Sequence, residues 1–228
     1  IVVDEKLARP ILVGRPAVIA ERCEKFGLRL KQGEHYDVVN VENDERYRDF
    51  WQSYYQMTAR KGMTIPIAKI EMRRRLSLIS AMMVLKGHAD GMICGTWGTN
   101  AMHLQYVDQV IGRREGVHTY AAMNALLLPE RQVFIVDTHI NYDPTAEQIA
   151  EYTIMAAQEM KRFGIQPKAA LLSHSSFGSS NQPSAEKMRA VAACFGEATL
   201  RRVRPEQLLQ GVPMIREKLG VAKADRAI

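Results

Sequence analysis

The chain has 228 residues, room for one large domain or two small ones, and its 46% apolar and 25% charged content is that of a globular protein with a sizeable core. A formal charge of +6 and a pI of about 9.3 suit an anionic ligand. Basic and aromatic residues are not interleaved on one surface element, so nucleic acid is not the expected partner.

In chain order, Pro10–Gly14 is a short apolar strand closed by Gly14, and Pro16 opens a helix to about Phe26 with Gly27 as its stop. Tyr36–Asn40 is a second strand. Asp44–Ala59 is a helix with Tyr47, Phe50, Trp51, Tyr54 and Tyr55 on it, a face for packing against a neighbour or for stacking a ligand. Thr64 caps a long helix over Ile65–Lys86. Its first half carries Lys69, Arg73, Arg74 and Arg75, and its second half is apolar on nearly all sides and must be buried. The basic cluster is either a solvated face or contacts for a polyphosphate such as the tail of CoA. Gly91–Cys94 is a buried strand, and the Gly95–Asn100 turn after it can offer backbone N–H groups to a phosphate or be there for steric reasons alone. A helix over Ala101–Ile111 and an apolar strand over Val117–Leu127 follow.

The stretch from Leu128 to Ser180 then reads strand, helix, strand. Val133–Val136 ends at Asp137. Asp143 and Pro144 suit the start of a helix, and Ile149, Tyr152, Ala156, Met160 and Phe163 give that helix one apolar face, with Gly164 as its stop. Ala169–Leu172 is the returning strand and leads into Ser173–Ser180. A β–α–β unit of this kind predicts a parallel sheet with ligands beyond its carboxyl edge, where both polar turns lie. Asp137 is equally a general base or the cap of the turn after it. Pro183 opens one more helix.

Three well-separated cysteines, Cys23, Cys94 and Cys194, predict free thiols in a reducing compartment. No run approaches the ~18 apolar residues of a membrane span, and no signal peptide is visible. The expected setting is a cytoplasmic stretch of a longer chain, since no initiating methionine precedes Ile1. The six histidines never pair at metal-ligand spacing, and HExxH, GxGxxG, Walker-type and GxSxG patterns are missing. Ser173 and His174 are neighbours, but adjacency does not make a nucleophile–base pair.

The segment VFIVDTHINYDPTAEQIAE resembles the signature of the phosphate acetyl/butyryl transferase family, and KAALLSHSSFGSS resembles that family's next strand and Ser/Gly-rich substrate loop. RPILVG, MRRRLSLISAMMVLKGHADGMICGTWGT and HLQYVDQVIG are similar, more narrowly, to the C-terminal phosphotransacetylase-like domain of bacterial NADP-dependent malic enzymes. The resemblance implies a three-layer α/β/α fold of the isocitrate-dehydrogenase-like type, with a mostly parallel sheet, two lobes around a cleft and a homodimer. It assigns ligand binding to Asp137, Thr138, Asn141, Ser173, Ser175, Ser176, Gly178 and Ser179, while Arg73, Arg74 and Arg75 of the basic cluster are the candidate CoA-phosphate contacts from the residue pattern. The implied ligand is acetyl-CoA, CoA or an acyl phosphate. The implied partner is an N-terminal malic enzyme domain, which would hold the NADP and divalent metal, with no cofactor in this domain. The expected domain runs over 1–195, with a divergent tail at 196–228, since the family's Ser-Arg-Gly segment and following Asp have no counterpart here.

Overall fold

The computed structural model describes residues 1–95, 97–174 and 179–195. The chain forms two compact units, one over Ile1–Glu115 and one beginning at Gly116.

In the first unit, β1 (Ile11–Val13) and β2 (Asp37–Val39) pair in parallel, with Ile11 opposite Asp37 and Val13 opposite Val39. Parallel strands need a crossover, and α1 (Pro16–Lys25) supplies it. Pro16 sits at its start and Gly27, at φ +61°, follows its end as the sequence predicts. Four helices build the core: α2 (Tyr47–Thr58), α3 (Ile65–Arg74), α4 (Leu76–Leu85) and α5 (Asn100–Val110). Phe50, Tyr54, Leu78, Met82, Met83, Tyr106 and Val110 are buried together with Val39. The Tyr54 hydroxyl, taken into this apolar setting, donates to Gln109 Oε1 at 2.8 Å and so is not left unpaired.

The long helix expected over Ile65–Lys86 is two helices, α3 (Ile65–Arg74) and α4. Arg75 divides them with φ −109° and ψ 95°: its N–H closes α3 on Glu71 O, and its carbonyl opens α4 by accepting from Leu78 and Ile79. The two halves have different burial needs. α3 buries only Ala68 and Met72, whereas α4 buries six of its ten residues, and an extended residue uncouples their faces. Thr64 caps α3 as expected, accepting from Ile67 N.

In the second unit, β3 (Met123–Leu128) and β4 (Arg131–Val136) form an antiparallel hairpin. The expected β–α–β pairing of Val133–Val136 with Ala169–Leu172 is not found: β4 pairs with β3, and Ala169–Leu172 makes no ladder among the described residues. Two apolar runs separated by Pro129–Glu130 close a hairpin more cheaply in chain entropy than a crossover of thirty residues. β4 is accordingly half-buried, with Ile135 45% exposed, where burial on both faces was expected. Gly91–Cys94 likewise makes no ladder among the described residues.

α6 (Ala146–Arg162) starts two residues later than Asp143–Pro144 suggests. Thr145 is its cap, in a capping box: the Thr145 hydroxyl accepts from Gln148 N, and Gln148 Oε1 accepts from Thr145 N at 2.9 Å. α7 (Pro183–Cys194) opens at Pro183 as expected. Ile149, Ala150 and Tyr152 of α6 and Val191 of α7 make this unit's core, against which Val136 and Leu171 pack.

Candidate functional site

The turn after β4 is built around one carboxylate. Asp137 Oδ1 accepts the backbone N–H groups of Ala122 at 2.8 Å, Ile140 at 3.3 Å and His139 at 3.4 Å. Oδ2 accepts the backbone N–H of Asn141 at 2.6 Å and its side-chain Nδ2 at 2.7 Å. Burial opposes ionisation of this group, but the N–H donors of Ala122, Asn141 and Ile140 outweigh it and hold its pKa below the usual aspartate value. A carboxylate whose lone pairs are filled and whose affinity for protons is lowered is a poor base. Of the two roles open from the sequence, the cap is the one this geometry serves.

The rest of the turn follows from that anchor. Asn141 Nδ2 also donates to Tyr120 O at 2.8 Å, joining the turn to the strand-ward segment before β3, and Thr138 Oγ1 donates to Asn124 Oδ1 at 3.1 Å on β3. Asp137, Thr138 and Asn141 are thus brought together, with backbone and hydroxyl groups fixed in place. The neighbouring Glu151 is held below the usual glutamate range by N–H of His118, the Thr119 hydroxyl and further contacts from those two residues.

Ser173 and Ser179 are both exposed, and Leu171, two residues before Ser173, packs on the same core cluster as Val136, the residue before Asp137. Both polar segments therefore leave from one core. Ser175, Ser176 and Gly178 lie outside the described residues.

Arg73, Arg74 and Arg75 of the first unit do not act as one patch. Arg73 lies over the Tyr47 ring at 4.7 Å, beside Lys69 over Trp51 at 4.6 Å, which are cation–π contacts across α2 and α3. Arg74 is exposed. Arg75 is half-buried at the helix break, where Nη1 reaches Met102 Sδ at 3.6 Å. Its Nε stands 3.4 Å from Glu71 Oε2, an ion pair whose alignment falls short of a hydrogen bond. Glu71 Oε2 also accepts a hydrogen bond from the Tyr106 hydroxyl, and burial together with that bond pushes the Tyr106 pKa upward.

Two histidine contacts have no local sequence signal. Ser77 Oγ lies 2.6 Å from Nδ1 of His103, and Nε2 of His103 lies 2.8 Å from Trp97 O. A carbonyl only accepts, so Nε2 carries the proton and Nδ1 accepts from Ser77. This ties the Gly/Thr turn to the start of α4, and within that turn Gly98, at φ +94°, takes a conformation other residues rarely adopt. The second contact is His174, which touches Ser180 and Ser184 across residues distant in sequence.

Comparison with known proteins fits this architecture. The family model for phosphate acetyl/butaryl transferase matches residues 1–206. The chain belongs to that family. Among relatives, the NADP-dependent malic enzyme of Salmonella typhimurium is 50% identical over 208 residues, covering 90% of this chain and 26% of that protein. The phosphate acetyltransferase of Corynebacterium glutamicum is 30% identical over 208 residues, covering 91% of this chain and 60% of that one. The crystal structure of a phosphotransacetylase from Streptococcus pyogenes superposes with a TM-score of 0.72 at 26% identity, covering 86% of this chain and 59% of that one. The chain therefore has the α/β fold of phosphotransacetylases, and spans about a quarter of the length of the malic enzyme it matches. Among the described residues, no helix is long and apolar enough to cross a membrane.

Proposed function

We propose that this chain is the phosphotransacetylase-like C-terminal domain of an NADP-dependent malic enzyme, binding acetyl-CoA or a related acyl-CoA without turning it over and serving as a regulatory and oligomerising module. The parent protein would oxidise and decarboxylate malate to pyruvate with NADP and a divalent metal held in its N-terminal domain. The 50% identity to a malic enzyme over 90% of the chain supports the parentage. The observation that carries the non-catalytic reading is Asp137, whose carboxylate is filled by N–H donors and so is unsuited to take a proton. In this reading Thr138, Asn141 and the hydroxyls of Ser173, Ser175, Ser176 and Ser179, with the Gly178 backbone, hold the acyl or phosphate oxygens. Arg74, the exposed residue of the Arg73–Arg75 run on the first unit, is the candidate charge for a CoA phosphate.

A second reading is an active phosphate acyltransferase moving an acetyl group between acetyl phosphate and CoA, favoured by the 30% identity to a phosphate acetyltransferase. Transfer needs phosphate and thiol held in line, donors for the carbonyl oxyanion, and a group that takes the thiol proton. Incubating the chain with acetyl phosphate and CoA separates the two. Acetyl-CoA formation at the background rate is expected, and rapid turnover would replace the first reading with the second.

A further inference from the structure

We propose that His174 is a positioning residue that clasps the serine-rich segment onto α7, which rests on the reading of Ser173 and Ser179 as ligand-holding groups. The His174 ring has one hydroxyl at each nitrogen: Ser180 Oγ is 3.2 Å from Nε2, and Ser184 Oγ is 3.2 Å from Nδ1. Ser184 is in the first turn of α7, which is fixed from beneath by Ala185, 2% exposed, and Val191, wholly buried. Ser180 is held independently: its Oγ accepts from Gln182 N at 3.2 Å, and its carbonyl accepts from Arg189 Nη1 at 2.8 Å. The same helix reaches the other polar segment, for Lys187 bonds the Asp143 carboxylate just beyond the Asp137 turn. A ring joined to Ser180 and Ser184 therefore sets where Ser173, its neighbour in the chain, leaves the core and where Ser179 returns.

Imidazole suits this task. In its neutral form one nitrogen donates and the other accepts, in divergent directions, and a hydroxyl can meet either. The ring is not aligned as a base for a serine nucleophile, because a second hydroxyl, with no charge to stabilise an imidazolium, occupies its other side. His174 acts through the serines and touches no reacting atom.

The test compares the whole chain with His174→Ala and with His174→Gln, whose amide offers one acceptor and donors to the same two hydroxyls. Two readouts are taken: amide hydrogen exchange and calorimetric titration with acetyl-CoA. Removing the ring should speed exchange at Gln182 and Ala185 several-fold while leaving the β3–β4 hairpin unchanged, and His174→Gln should restore much of the protection. Acetyl-CoA affinity should fall roughly three- to tenfold in His174→Ala, the scale of one or two neutral hydrogen bonds, and recover in His174→Gln. Unaltered exchange at Gln182 and Ala185 overturns the clasp. Altered exchange with unaltered affinity overturns its positioning role. If the unsubstituted chain takes up no acetyl-CoA, the ligand reading fails and the role proposed for His174 goes with it, while the exchange data still decide whether the clasp exists.

Discussion

Asp137 shows how one side chain can serve a turn rather than a reaction. Five N–H bonds converge on its carboxylate, four of them from backbone groups. Its replacement by Asn keeps the shape but aims an N–H₂ group at donors, so Asp137→Asn should cost about 1–3 kcal/mol of stability in urea denaturation. The sign of the pH dependence follows from its lowered pKa. Because the folded value lies below the unfolded one, the contribution is complete above the unfolded value near 3.8 and is lost as the pH falls through the folded value. Denaturation midpoints measured from pH 6 down to pH 3 should therefore fall more steeply for the unsubstituted chain than for Asp137→Asn. The sequence left base and cap open at this position because the deciding donor, Ala122 N, comes from the segment just before β3, fifteen residues away in the chain. The arginines divide in the same way. Arg74→Ala, at an exposed position, should weaken acetyl-CoA binding by about 1–2 kcal/mol in calorimetry with stability unchanged, if the phosphates are held there. Arg75→Ala should instead lower stability, because it removes the guanidinium lodged against Glu71 and Met102.

At the scale of elements, local chemistry told most of the story wherever it ruled alone. Pro16, Thr64, Pro183 and the glycines after α1 and α6 mark helix ends in the sequence and in the structure. α6 starts two residues past its first signal because Asp143–Pro144 and Thr145–Gln148 both carry start signals, and the reciprocal bonds of the capping box prevail. Thr145→Ala should accordingly destabilise the second unit by about 1 kcal/mol, read as a shift in its denaturation midpoint. The break at Arg75 is illegible because no Pro or Gly marks it; it follows from the switch from a mostly exposed helix to one that buries six of its ten residues. Strand pairing was the least legible. A short apolar run states that it wants burial, not which neighbour it takes, and Val133–Val136 fits a hairpin as readily as a crossover. The candidate site was legible to the extent that Asp137, Thr138 and Asn141 converge, and illegible at His174, whose partners lie six and ten residues away.

At the scale of the whole molecule, the family and the fold account for most of the chain, while the charge of +6 bears on the ligand. An anionic acyl-CoA held by exposed arginines should bind more weakly as salt rises, since exposed charges are screened within about 8–10 Å at physiological ionic strength. The first unit depends on α4 for its packing, and Met82, wholly buried, should cost about 2–5 kcal/mol when cut to Ala, seen as a loss of thermal stability. We propose that this fold holds an acyl-CoA. Isothermal titration of the chain with acetyl-CoA tests it most directly: saturable, salt-sensitive heat of one binding event per chain is the predicted result, and no heat at any ligand concentration, from a chain shown to be folded, would contradict it.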